Sequence, residues 1–332
     1  MPASIAAGGG RVAPPGAAAG ERAKSIRPAS ERTRHDTPDR RPFRPEVLKL
    51  FDQYVHGLLS RRGFLRSAAR YSAGALTAEL ILEQLSPNFA QAQQVAPTDP
   101  RIKTSTLEFA SPQGYATLHD LLAQPAAAKG KLPTVLVVHE NRGLNPYIED
   151  VARRAAVGGF VALAPDGLAP LGGYPGNDDD GRDLQAKLDQ AKLRTDMLNS
   201  ARFLKSHKLS SGRLGATGFC WGGGTTNFLA VAMGDDLHAA VPFYGAAAET
   251  ASVPKIKAAL LVHYAENDER INSMWPAYEK ALKASAVRHE MHMYPGTQHG
   301  FHNDSTPRYN EPAAKLAWER TVAFFKRNLA VA

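Results

Sequence analysis

The sequence predicts an α/β fold: a mostly parallel sheet with helices on both faces and an antiparallel N-terminal hairpin. Three observations predict it. From residue 133 onward, short aliphatic and β-branched runs alternate with helical patterns. Two alternating runs joined by a turn precede them. Neither an internal repeat nor a second core interrupts 93–332, and about 240 residues suits one domain.

The elements follow in order. "TSTLEFASPQGYATLHDLLAQP" reads as the hairpin, turning at Ser111-Pro112-Gln113-Gly114. "LPTVLVVHE" is a buried strand. "PYIEDVARRAAVGGF" is a helix with Ile148, Val151, Ala155 and Ala156 as its apolar stripe, ended by Gly158-Gly159. "VALAP" is a strand, "DGLAPLGGYPGNDDDGRD" a turn-rich loop, and Leu184 to Lys208 a long polar helix. "RLGATGF" is a strand and "TTNFLAVAMG" a helix, with Cys220 at the turn between them. "AAVPFYG" and "AALLVHYA" are strands. "SMWPAYEKALKASA" is a helix that takes Pro276 in its first turn. "RHEMHMYP" alternates like a strand, and "NEPAAKLAWERTVAFFKRNL" closes the chain as a helix anchored by Leu316, Val322, Phe324 and Phe325.

The chain carries a formal charge of +8, but residues 1–92 hold 14 Lys+Arg against 8 Asp+Glu, leaving a net of +2 for 93–332. That balance, without interleaved aromatic platforms, argues against a nucleic-acid partner. Residues 1–47 are rich in Ala, Gly, Pro, Arg and Ser and are expected to be structureless. Ser60-Arg61-Arg62-Gly63-Phe64-Leu65, a mildly apolar stretch and Ala90-Gln91-Ala92 follow in the order of a twin-arginine export signal. On that reading 1–92 is a removable extension, the export machinery is a partner of the precursor, and 93–332 works in the periplasm or outside the cell. The competing reading is an amphipathic helix docked on the domain, with Leu76, Leu80, Leu82 and Leu85 near one face. No other stretch reaches the roughly 20 apolar residues of a membrane span.

Ligands of open α/β sheets bind beyond the carboxyl ends of the strands. Cys220, Asp268 and His299 stand at three such ends. Gly218-Phe219-Cys220-Trp221-Gly222 is G-x-C-x-G, the nucleophile-elbow pattern with sulfur replacing oxygen. The glycines allow close approach in a strained strand-to-helix turn. The helix N-terminus favours thiolate, and the Trp221 N–H can meet a developing oxyanion. His299 would carry the thiol's proton, and Asp268 would fix its tautomer. Cys220 is the sole cysteine, so an intramolecular disulfide and a cysteine zinc cluster are excluded, and the lack of a resolving cysteine weighs against an intramolecular redox cycle. His299-x-x-His302 with Asp304 has metal-like spacing in an irregular loop, His289 and His292 face opposite sides of a strand, and Asp178 to Asp180 lack the closing glutamate of a calcium loop. No metal is expected.

These motifs resemble the dienelactone hydrolase (carboxymethylenebutenolidase) family, of α/β-hydrolase fold. The resemblance covers nearly all of 104–328: the elbow with Gly223, Asn267-Asp268, His299-Gly300-Phe301, and "HENRGLNPYIEDVARRAA" with Glu140, Gly143 and Asn145. It implies cleavage of a lactone or ester through an acyl-thiol intermediate, with no cofactor. It assigns Glu140 to taking the thiol's proton when substrate arrives and the Asn141 N–H to the oxyanion. An ion pair of Glu140 with Arg142 or Arg153 stands as the alternative. Family members acting on dienelactone hold its carboxylate with arginines, one of them at the position of Asn303; Arg270 and Arg308 are candidates to replace it. Tyr174 is a candidate pocket wall. A general carboxylesterase or thioesterase, and an exported binding protein without turnover, are the competing functions.

Overall fold

The computed structural model describes residues 43–72 and 76–330. Most of the segment expected to be structureless falls outside them. Its last residues do not fit that expectation: α1 (Pro45–Val55) starts with Pro at N1, whose fixed φ and missing N–H suit the first turn. Val47, Leu48, Phe51, Tyr54 and Val55 are buried, at helical spacing. α2 (Arg61–Ala68), α3 (Ala78–Leu85) and α4 (Phe89–Ala92) follow, capped by Ser60, Thr77 and Asn88. Phe51, Tyr54, Phe64, Ile81, Leu82 and Leu85 help form a separate apolar cluster. In α3 it is Ile81, one residue on from the expected Leu80, that turns inward, while Leu80 is exposed. The twin-arginine pair Arg61-Arg62 thus opens α2, and Ala92 is the last residue of α4.

β1 (Ile102–Ser111) and β2 (Ala116–Pro125) pair antiparallel as expected. β3 (Leu132–Val138), α5 (Pro146–Val157) and β4 (Val161–Ala164) come next. The expected long helix is two, α6 (Asp178–Lys187) and α7 (Gln190–Ser206). The chain breaks at Leu188, and Asp189 accepts from the N–H groups of Ala191 and Lys192 to start the second. Asp178, Asp179 and Asp180, read as loop, form the first turn of α6 beneath the Asn177 cap, where the helix dipole favours negative charge. β5 (Ser210–Phe219), α8 (Trp221–Met233), β6 (Ala239–Phe243), β7 (Ala259–Asn267), the short α9 (Glu269–Asn272), α10 (Trp275–Ala284), β8 (His289–Gln298) and α11 (Glu311–Asn328) complete the chain. Pro276 sits in the first turn of α10 as expected. On α11, Phe324 and Phe325 are buried but the expected anchor Leu316 is exposed.

The eight strands form one sheet in the order β1-β2-β4-β3-β5-β6-β7-β8, parallel from β4 to β8. Apolar clusters line both its faces, the condition a parallel sheet requires. From β3 the chain moves to β4 on one side and later to β5 on the other, so a crevice opens at the carboxyl ends of β3 and β5. Val138 pairs with Gly218, which sets Glu140 and Cys220 each two residues beyond the same rung. Among the described residues no helix is long and apolar enough to cross a membrane.

Candidate active site

Each of the three residues singled out at strand ends follows its strand directly: Cys220 after β5, Asp268 after β7, His299 after β8. Cys220 has φ 57° and ψ −113°, in the left-handed half of conformational space that a side chain disfavours. The surrounding glycines permit that turn. A Cβ on Gly218 would come 2.2 Å from the Gly222 carbonyl oxygen, and one on Gly222 2.4 Å from that of His139. Both obstacles are backbone and cannot swing aside.

Asp268 and His299 are buried, and His299 Nδ1 donates to Asp268 Oδ2 at 2.5 Å. Nε2 is therefore the ring's working nitrogen, and it has no hydrogen-bond partner among the described residues. Burial pushes the His299 imidazolium down, but Asp268 and then the Cys220 thiolate raise it to about 10. Burial likewise pushes the Cys220 thiol up, and the cations of His299 and His56 overcome this and bring it to about 5. Both shifts favour a thiolate paired with an imidazolium.

Sequence reasoning missed His56. Its Nε2 lies 3.3 Å from Cys220 Sγ, and its ring meets that of His299 edge-on at 4.6 Å. The donor atoms of His56, Cys220 and His299 lie within 4.8 Å of one another. A faint signal existed in the sequence: Asp52 and His56 are four apart at the end of an amphipathic stretch.

Glu140 is buried, and its Oε2 accepts from Arg142 Nη1 at 3.1 Å and from Asn303 Nδ2 at 3.0 Å. The Arg142 ion pair named as the alternative is therefore present, and Asp178 joins it at 3.3 Å. Asn303, at the position of the family's arginine, is fully buried as a support for that carboxylate.

A cleft of ≈ 670 Å³ opens on the sulfur, lined among others by His56, Asn141, Cys220, Trp221, Phe228 and Arg270. The Trp221 N–H opens α8, where a helix offers it no internal acceptor. The Asn141 side chain donates to the Val55 carbonyl at 2.9 Å, tying the cleft rim to α1. Of the two candidate arginines, Arg270 lines the cleft, whereas Arg308 is buried away from it, facing Asp52 Oδ1 at 3.5 Å. Tyr174 does not line the cleft: its hydroxyl donates to Asp178 Oδ1 at 2.9 Å and its ring packs on Phe89. His302 and Asp304, the other members of the metal-like spacing, are engaged elsewhere, with Tyr147 and Arg154 respectively.

Known proteins resemble the chain in sequence and in fold. A Salmonella typhi protein named "Putative carboxymethylenebutenolidase" is 33% identical over 221 residues, spanning 61% of this chain and 80% of its own. An Escherichia coli (strain K12) protein named "Putative hydrolase fragment YghX" is 55% identical over 114 residues, 34% of this chain and 97% of its own. A solved structure described as a "Putative Dienelactone Hydrolase" from Klebsiella pneumoniae superposes with a TM-score of 0.59 at 29% identity, covering 68% of this chain and 99% of that one. A family model described as YqhI-like matches residues 36–73, across α1 and α2. The Dienelactone hydrolase family model matches residues 118–329, nearly two thirds of the sequence, and the chain belongs to that family of ester and lactone hydrolases.

Proposed function

We propose that this hydrolase cleaves a carboxylic ester or lactone by attack of the Cys220 thiolate, with Asp268 and His299 completing a triad and an acyl-thioester as intermediate. One observation carries the reading. The sulfur is held in a strained turn in the wall of the cleft, beside a histidine whose other nitrogen is locked to a buried carboxylate. The thiolate adds to the carbonyl carbon, and the oxyanion lies toward the N–H groups of Trp221 and Asn141. His299 Nε2 gives its proton to the departing oxygen, then takes one from the water that attacks the thioester, and the thiolate leaves. The ion pair with Arg142 supports a positioning role for Glu140 rather than transfer of the thiol's proton.

The cleft wall supports an acyl group of mixed character. Trp221, Phe228 and Val231 give apolar surface, and Arg194 and Arg270 supply cations. A carboxylate on the substrate is therefore expected to meet Arg270 or Arg194 rather than Arg308. A panel of nitrophenyl esters, thioesters, and lactones with and without a carboxylate tests this. Preference for the carboxylated lactone, lost in Arg270→Ala, supports carboxymethylenebutenolidase-like specificity. Equal rates on neutral esters support a general esterase, and the absence of turnover on every substrate supports a binding protein.

We further propose that residues 43–92 stay with the working enzyme. Their buried apolar cluster and their contacts with the cleft support this over removal after Ala92. Mass analysis of the N-terminus of protein from its native host decides between the two. A chain starting at Gln93 supports the cleaved export signal. If export operates, Arg61→Lys/Arg62→Lys abolishes it.

A further inference from the structure

We propose that His56 is a catalytic residue, the group that takes and holds the proton of the Cys220 thiol, with Asp52 as its positioning residue. The inference deepens the reading of Cys220 as nucleophile and rests on it.

The geometry begins with tautomers. His56 Nδ1 lies 2.7 Å from the carbonyl oxygen of Asp52, which can only accept, so Nδ1 carries a hydrogen. In the neutral ring Nε2 then holds the lone pair, and Nε2 is the atom that faces Sγ at 3.3 Å. At that distance a hydrogen on sulfur or on Nε2 bridges the two atoms. Transfer breaks the S–H bond, leaves its electron pair on sulfur and makes an Nε2–H that points back at the thiolate. The Asp52 carboxylate, 3.3 Å from Nδ1, stabilises the imidazolium. Two Asp–His pairs thus meet at one sulfur: Asp52 with His56, and Asp268 with His299. Both rings act on the sulfur: His299 is the first of the cations that lower the Cys220 thiol and His56 the second.

The fold fixes His56 in place. It caps α1, and Gly57 follows at φ 72°, a turn that favours glycine. Contacts on neighbouring residues pin the helix: Tyr54 donates to Asp179 Oδ2 at 2.5 Å, Arg182 donates to the Tyr54 carbonyl at 3.3 Å, and Asn141 donates to that of Val55. The cleft stays open with His56 in its wall, so α1 shapes the space beside the sulfur without filling it. The charged and titratable groups facing His56 are Asp52 on its own helix, Cys220, His299, and Arg270, whose Nη2 lies 3.2 Å from the same Nε2. Arg308 faces Asp52 behind them. Burial and His299 lower the His56 imidazolium, the thiolate and Asp52 raise it, and the net direction is up.

The test uses the full chain. Alkylation by iodoacetamide is followed against pH, together with turnover of nitrophenyl acetate, in wild type, His56→Ala, His56→Asn, Asp52→Asn and Cys220→Ala. His56→Ala and His56→Asn are expected to move the alkylation midpoint up by about one pH unit or more and to lower kcat/KM about 10²-fold, with thermal unfolding unchanged. Asp52→Asn is expected to move the midpoint in the same direction by less. An unchanged midpoint and unchanged turnover in both His56 variants overturn the proposal and leave His56 a wall of the cleft. Faster turnover overturns it in favour of a restraining cap. The asparagine variant fills the histidine's space and keeps the measurement informative where alanine fails to fold. Failure of the nucleophile reading looks different: Cys220→Ala would itself keep hydrolysing.

Discussion

Cys220→Ala is expected to lose about 10⁴-fold or more in turnover of an activated ester, because every covalent step of the proposed mechanism passes through this sulfur. The elbow is built for one atom. The backbone takes a disfavoured turn at Cys220, and Gly218 and Gly222 remove the Cβ atoms that would block it. Alanine tolerates that turn no worse than cysteine, so the thermal unfolding of the variant should match wild type and the loss is chemical. Cys220→Ser keeps an attacking atom in place but not its ionisation. The neighbouring imidazolium groups that bring a thiol to about 5 cannot do the same for an ordinary alcohol. It is expected to retain a small residue of activity, above alanine and far below wild type. Mass spectrometry of wild type stopped early in turnover should show one acyl group on Cys220. Turnover by Cys220→Ala at the wild-type rate would sink the mechanism.

What the sequence disclosed, and what it withheld, follows the range of the interactions. The elbow and the two later strand ends are local signals. A glycine is demanded by a backbone carbonyl a few ångströms away, and Asp268 and His299 each follow a strand that periodicity exposes. The break at Leu188 was less legible, because Asp189 reads equally well as one more polar helical residue until its side chain is seen capping α7. Leu316 was misplaced for a related reason: apolar identity alone does not say which face of α11 meets the sheet. The role of Glu140 depended on a partner. Arg142 is only two residues away, yet Asn303 and Asp178, which complete its cluster, come from distant segments. His56 was the least legible of all. Its partner Cys220 lies 164 residues further on, and its setting among arginines and a mild apolar run resembled an address more than a folded layer. The amphipathic spacing of α1 was there to read, but spacing says that a face is buried, not against what.

Asp268→Asn is expected to lower kcat/KM by roughly 10²–10⁴-fold and to narrow the pH range in which the thiolate survives. In wild type Asp268 accepts the Nδ1 hydrogen of His299 and is the strongest force raising that imidazolium to about 10. The charged ring in turn is the first of the cations lowering the thiol to about 5. The thiolate of wild type is expected to be lost as pH falls through about 5, and the imidazolium as pH rises through about 10. Alkylation should therefore stay fast at pH 6, where an unperturbed cysteine, titrating near 8.5, is almost wholly a thiol. An amide in place of the carboxylate removes the negative charge that sustains the imidazolium and can turn its NH₂ toward Nδ1. That leaves the hydrogen on Nε2, where it blocks proton acceptance. The alkylation midpoint should then rise toward the ordinary value, and the acid limb of kcat/KM should rise with it. Asp268→Glu, which restores the charge at a displaced position, should recover part of the midpoint shift and less of the turnover, because charge acts over several ångströms while proton transfer needs the ring in register. A variant Asp268→Asn whose midpoint stays near that of wild type and whose turnover is intact would show that this carboxylate is not the one that holds His299 charged.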